Sequence, residues 1–217
     1  MGGSQNASFF CNGWGSPHPL PLPTRGRGTS GQAFKRLHWT MTVLNVHERR
    51  LAASAAEVGA LLDTLATAQD RLWPRGLWPA MRFDGPLAPG ASGGHGPIRY
   101  AVEAMEPGRA VRFRFLVPRG FDGWHALEIV PDGERASILR HTLAMTPRGT
   151  ARLVWPLAIR PLHDALLEDA LARAEAAVGQ TPTVMPWSPW VRLLRFVLSM
   201  GRARPQSSPA APGDRSR

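Results

Sequence analysis

Cysteine is almost missing from this 217-residue chain: Cys11 stands alone, which excludes an intrachain disulfide framework and any metal site built from several thiolates. Lysine is equally scarce, with Lys35 the single one among 26 basic residues. No run of 18 apolar residues occurs, so no segment reads as a membrane-spanning helix. Phe9-Phe10-Cys11 is too short for the apolar part of a secretory leader. A lone cysteine and no leader fit a reducing, cytoplasmic setting. Apolar periodicity is missing from residues 1–40, rich in Gly, Pro, Ser and Thr, and again after Pro205. Neither stretch can bury enough apolar surface to offset the entropy of ordering. The expected organisation is a disordered head over 1–40, one domain over 41–179, a basic apolar tail with a short helix over 180–204, and a disordered end over 205–217. Met41, just before the first strand-like run, offers an alternative start.

The formal charge of +10 looks like a nucleic-acid signal until it is divided by region. Residues 43–179 carry 16 Arg against 15 acidic groups, a net +1; the segment before them carries +4 and the segment after them +5. A nucleic-acid-binding domain concentrates basic groups on its own surface. Here they sit outside the domain, so no nucleic acid is expected as a partner.

Within the domain, Val43–Arg50 reads as a strand of mixed polarity. Ser54-Ala55-Ala56-Glu57 has the form of a capping box, and Val58, Leu61, Leu62 and Leu65 recur at helical spacing, predicting a helix over 55–67. The Pro- and Gly-rich stretch 71–96 reads as a short second helix, a strand near Met81–Phe83 and a long loop. Four strands follow, over 98–105, 111–117, 124–130 and 136–145, separated by Glu106-Pro107-Gly108, Pro118-Arg119-Gly120 and Asp132-Gly133-Glu134. Such short turns make the strands antiparallel neighbours. A further strand over 151–155 leads to a helix over 159–178, with Ile159, Leu162, Leu166, Ala170 and Ala174 on one face. The fold class is α+β: a curved antiparallel sheet of about seven strands wrapped around a long C-terminal helix. Such a grip encloses volume, and small molecules bind in volumes of that kind.

Side-chain alternation gives His125, Leu127 and Ile129 one shared face, and Leu139, His141 and Leu143 another. If both face the core, the paired residue numbers sum to an even value. A three-residue loop pairing Pro131 with Arg135 then sets His125 directly across from His141. Three readings of the pair stay open: satisfied core polar groups, a fixed point for the polar end of an apolar ligand, or a general acid and base. A metal is not expected, since the only candidate third ligand is His163 and no HxxxH spacing exists. Gly93-Gly94-His95-Gly96 places His95 at the sheet's rim. It is not a phosphate loop, because neither Lys-Ser/Thr nor a helix follows. Asp164, in the first turn of the last helix, suits the helix dipole, and His163 beside it borders the cavity.

Over 43–178 the order of elements resembles the SRPBCC superfamily, the helix-grip fold of START-type lipid carriers, polyketide cyclases and plant pathogenesis-related proteins. Ser54-Ala55-Ala56-Glu57-Val58 resembles that family's turn into its first helix. Tyr100 to Arg109, followed by Val111-Arg112-Phe113, resembles its strand, Pro-Gly turn and strand. The resemblance implies a binding role for a small hydrophobic ligand such as a lipid or polyketide-like metabolite, or a cyclase/dehydratase activity in the same pocket with His125 or His141 as acid or base. It implies no cofactor here, since the oxygenase branch needs an iron–sulfur domain that one cysteine cannot supply. The expected lining is His95, Tyr100, Phe113, Phe115, His125, Leu127, His141, Leu143, Trp155 and His163. Outside the domain, Trp187–Leu198 is apolar and cationic. It is expected to pack as an added helix on the domain or on a second subunit, or to lie on a membrane surface. A regulatory or assembly module acting through that tail is the third functional class.

Overall fold

The computed structural model describes residues 43–200, and the expectations for the head, for Cys11 and for the far C-terminal tail lie outside them. Seven strands form one antiparallel sheet: β1 (Val43–Leu51), β2 (Arg82–Phe83), β3 (Ser92–His95), β4 (Ile98–Glu106), β5 (Ala110–Val117), β6 (Phe121–Pro131) and β7 (Ser137–Pro147). Their order is β1-β7-β6-β5-β4-β3-β2, so the first strand closes the sheet beside the last. Four helices accompany it: α1 (Ala55–Leu62), α2 (Ala151–Val154), α3 (Arg160–Ala177) and α4 (Pro189–Met200), with a π-helical turn, Trp155–Ile159, joining α2 to α3. The expected α+β helix-grip architecture is the observed one. No helix among the described residues is long and apolar enough to cross a membrane.

Local chemistry explains the elements. Ser54 and Glu57 form the reciprocal capping box that starts α1. The helix is shorter than expected, and its tail unwinds into turns after Leu62. There Thr64 and Thr67 hydroxyls return to the backbone carbonyls three residues earlier, the competition with helical bonding that such residues offer. Gly59 lets α1 lie directly on the β4–β5 turn, where any Cβ would collide with the Gly108 carbonyl. Asp63 then accepts a 2.7 Å bond from the Gly108 amide. Register irregularities in β4, at Arg99/Tyr100 and Val102/Ala104, bend the strand and help the sheet to curl.

Three expectations are corrected. Residues 151–155 are helical, because β7 already has β6 on one side and β1 on the other, leaving no edge for another strand there. The short helix expected within 71–96 is instead a chain of turns with one isolated bridge, Arg75 to Trp78, and Ser92–His95 adds a strand in a stretch read as loop. The β6–β7 hairpin closes one residue later than expected: Asp132 donates its amide to the Ala136 carbonyl with Gly133 at φ +94°, so Pro131 pairs with Ser137. The register moves by two residues and keeps its parity, so the inward-facing sets are as expected.

The core lies between the concave sheet and α3. Tyr100, Phe113, Val111, Leu139 and Leu171 are fully or almost fully buried there. The wall of β1 that meets α3 is polar. Asn45, His47 and Arg49 alternate inward, while Leu44 and Val46 face solvent. Two strand residues advance about 6.6 Å and four helical residues about 6 Å, so inward positions of β1 keep step with acidic positions of α3. Asn45 donates to Asp164 at 3.1 Å, His47 bonds Glu168 at 2.9 Å, and Arg49 reaches Glu168 at 2.7 Å and Glu175 at 3.2 Å.

Candidate functional site

Between the sheet and α3 is a partly enclosed cavity of about 500 Å³, a volume typical of small-molecule sites. Leu127, Leu139 and Leu143 line it from the sheet, and Leu162, Leu166 and Leu167 from α3. Into this apolar shell project His95, His125, His141 and His163.

The two sheet histidines meet as expected, by a different route. His125 faces Leu143, and His141 faces Leu127. The imidazoles are diagonal neighbours, with His141 Nε2 3.3 Å from His125 Nδ1. On its other side His141 faces His47 across β1. Ring contacts extend the row: His163 to His141 at 5.0 Å, His47 to His163 at 6.0 Å, and His125 edge-on to Tyr100 at 4.8 Å. All five histidines of the described residues belong to this row, because His95 bonds the Tyr100 hydroxyl through Nδ1 at 3.0 Å.

Burial sets their charge. Desolvation holds His125 and His141 well below the ordinary imidazole range, and neighbouring histidines add to the effect. Burial brings His95 down to about 3 and raises the Tyr100 phenol. His163 is lowered by burial, against the pull of Asp164. The pocket histidines are therefore neutral near pH 7, each with one N–H and one lone pair. In a hydrogen-bonded neutral pair, the ring that donates has a bare outer nitrogen, and the ring that accepts has a protonated one. The His125–His141 pair always offers one donor and one acceptor at its two ends. Those ends, His125 Nε2 and His141 Nδ1, find no partner among the described residues, and neither does His163 Nε2. Buried polar atoms left this way are uncommon.

The residue that sequence reasoning missed is His47. Burial disfavours its imidazolium, but hydrogen bonds to Asp164 and Glu168 and their charges outweigh that and raise its pKa. Asp164 is not spent on the helix dipole as expected. Its Oδ1 receives Asn45, His47 and His163 together, at 3.1, 3.1 and 3.3 Å, and despite burial its carboxyl is held below the usual range. His47, His163 and Asp164 also offer atoms within 4.8 Å of one another that could ligate a metal. A metal there would compete with the proton on the His47 Nε2 that faces Asp164. The signal lay in the strand: a donor at every second position of 45–49, set against acids at helical spacing in 164–175.

Of the expected lining, His95, Phe115, His125, Leu127, His141, Leu143, Trp155 and His163 surround the cavity. Tyr100 and Phe113 stand behind the wall, Tyr100 holding His95 and Phe113 stacked on His125 at 4.9 Å. The rest of the lining comes from residues outside the expected set, among them Trp73 and Trp78 and, from α4, Leu194, Val197 and Leu198. A clasp ties α4 to the domain: Asp169 accepts both the Trp78 and Trp187 indole N–H groups, at 2.7 and 3.0 Å, and the Arg195 guanidinium lies over both rings at 4.2 and 4.0 Å. Pro161 has no N–H for the Leu157 carbonyl four residues before it, and that carbonyl takes the Trp190 indole at 2.7 Å.

No family model matches the sequence, and none of the curated proteins matches it. Solved structures do. A truncated norcoclaurine synthase from Thalictrum flavum is 17% identical, with a TM-score of 0.50 over 65% of this chain and 97% of its own. A protein from Thermobifida fusca is 20% identical with a TM-score of 0.49, over 65% and 99%. CalU16 from Micromonospora echinospora is 16% identical with a TM-score of 0.47, over 73% and 84%. At such identities the likeness concerns the fold, not the chemistry. The truncated synthase and this chain, with its seven-stranded antiparallel sheet gripping α3, share a helix-grip fold.

Proposed function

We propose that this chain binds a small, uncharged, mainly apolar molecule in the cavity and holds its polar group on the histidine row. The observation that carries this reading is the three buried imidazole nitrogens with no partner among the described residues, in a mainly apolar space. Because these imidazoles are neutral, they favour a hydroxyl or carbonyl over a carboxylate. An ionised acid would lose its hydration and gain no cation from them. A hydroxylated lipid or a polyketide-like metabolite has the right chemistry. As a test, 2-naphthol should quench tryptophan fluorescence at lower concentration than naphthalene or 2-naphthoate. His125→Phe and His141→Leu should each weaken 2-naphthol by about tenfold, the worth of one buried hydrogen bond, and leave naphthalene unchanged. Equal affinity in wild type and both variants removes the pair from the site.

The paired rings also favour a second reading, a cyclase or dehydratase. A proton entering at one outer nitrogen lets another leave from the far end, which suits an enzyme that protonates one oxygen and deprotonates a neighbouring group. Native mass spectrometry of the protein from its own host separates the two. A carrier retains one molecule unchanged in His125→Gln, whereas an enzyme accumulates a precursor, heavier by the elements of water for a dehydratase or an uncyclised isomer for a cyclase.

A further inference from the structure

α4 has two apolar faces, and the fold uses one. Val191 and Leu194 turn toward the domain, with Val191 4% exposed. On the far side of the same helix, Trp190, Leu193 and Phe196 make a continuous outward stripe, with Leu193 49% and Phe196 60% exposed. Leu77 and Leu157, the residues whose carbonyls hold Arg195 and Trp190, are exposed on either side of it. Isolated exposed leucines need no explanation, but a contiguous patch of this kind marks a contact surface. It lies on the outer side of the helix whose inner side helps to line the cavity.

The charge beside this patch selects its occupant. α4 contains Arg192 and Arg195 and no acid, and residues 180–217 hold six arginines against Asp214, whereas the body from 43 to 179 is nearly neutral. A second copy of the chain laid on the same stripe would bring basic tail against basic tail with no carboxylate on α4 to separate them. An anionic lipid surface complements both the apolar stripe and its basic flank. We propose that α4 docks on an anionic phospholipid surface, so that the cavity it helps to line exchanges its contents with the bilayer rather than with water. The docking itself stands whatever the cavity holds; the exchange rests on the ligand-binding reading above.

The experiment is co-sedimentation of the full chain with vesicles of phosphatidylcholine alone or with one-third phosphatidylglycerol. Binding to the anionic vesicles should be at least tenfold tighter and should weaken in 0.5 M salt, roughly three times the physiological ionic strength at which screening already acts over about 8 Å. L193E/F196E should lose at least tenfold of that binding and keep its unfolding midpoint and 2-naphthol affinity, since both side chains point outward. Fluorescence quenching by brominated phosphatidylglycerol, present in wild type and reduced in Trp190→Phe, reads the same contact without adding charge. No binding to anionic vesicles, equal binding by the double variant and wild type, or no bromolipid quenching overturns the proposal. So does a concentration-dependent dimer that L193E/F196E abolishes, which would assign the stripe to self-association. Failure of 2-naphthol binding with vesicle binding intact overturns the ligand reading alone.

Discussion

His47 and His141 sit opposite one another on neighbouring strands, yet their surroundings push their proton affinities in opposite directions. His47 loses hydration but gains two carboxylates, which raise its pKa. His141, one strand further in, loses hydration among leucines and other imidazoles, and its pKa falls. The difference shows that burial alone does not decide whether a histidine is charged; what α3 presents at that height does. One edge of the sheet is thus fastened to the helix by ions, and its interior keeps uncharged polar groups available for a guest.

Acid should expose the contrast most strongly. A group whose native pKa lies below its unfolded value stabilises the fold above the unfolded pKa, about 6.5, and that stabilisation disappears as pH falls. His95, His125, His141 and, less strongly, His163 are of this kind. Each proton bound only by the unfolded chain costs about 1.4 kcal/mol per pH unit, so the three furthest-shifted, His95, His125 and His141, give a slope of roughly 4 kcal/mol per unit below pH 6. Denaturant titrations from pH 7 to 5 should show that slope, and His141→Leu should reduce it by one proton's share. A stability unchanged across this range means that the imidazoles are not buried neutral.

The opposite sign belongs to His47. Its native pKa is raised, so its contribution is complete below about pH 6.5 and is lost as pH rises through the native value. His47→Gln should cost about 2 kcal/mol at pH 6, less than a fully buried pair because Asp164 and Glu168 are part-exposed. At pH 9 the cost should shrink to a few tenths of a kcal/mol, within the range of ordinary surface substitutions. An equal cost at both pH values in urea titrations would show that His47 acts as a neutral packing group.

How much of this was legible in the sequence follows from the range of each signal. The hairpins of β4 to β7 were readable because their turn residues are local, and the parity of β6 and β7 because alternation is local too. The exact pairing was not, since moving the turn by one residue preserves every facing set. Residues 151–155 fit a strand by pattern, and only the finished sheet shows that no edge was free. The meeting of His125 and His141 survived the register error because diagonal neighbours on one face still touch. His47 was invisible for another reason: its meaning depends on acids 117 and 121 positions later, a match between two periodicities that neither segment announces alone. The tail was expected to pack as an added helix, but its place in the cavity lining was missed, because no local pattern shows which surface a helix covers; α4 supplies part of that lining.

The smallest effect lies beside the largest contrasts and serves as their control. Arg49 and Arg50 are adjacent on β1, and each pairs with a carboxylate, but alternation turns them to opposite faces. Arg49 enters the ionic wall with Glu168 and Glu175. Arg50 reaches Asp132 at 2.6 Å in the open, its side chain 65% exposed. Water and salt screen that outer pair, and ordering two free side chains offsets most of its attraction. Arg50→Ala should therefore shift stability by no more than about 0.5 kcal/mol, and less in 0.5 M salt, with the pH profiles of His47 and the pocket histidines unmoved. A larger loss would mean that the edge strand depends on its outer charges as well as its inner ones. The ionic wall would then be one part of a two-sided fastening rather than the device that holds β1 against the helix.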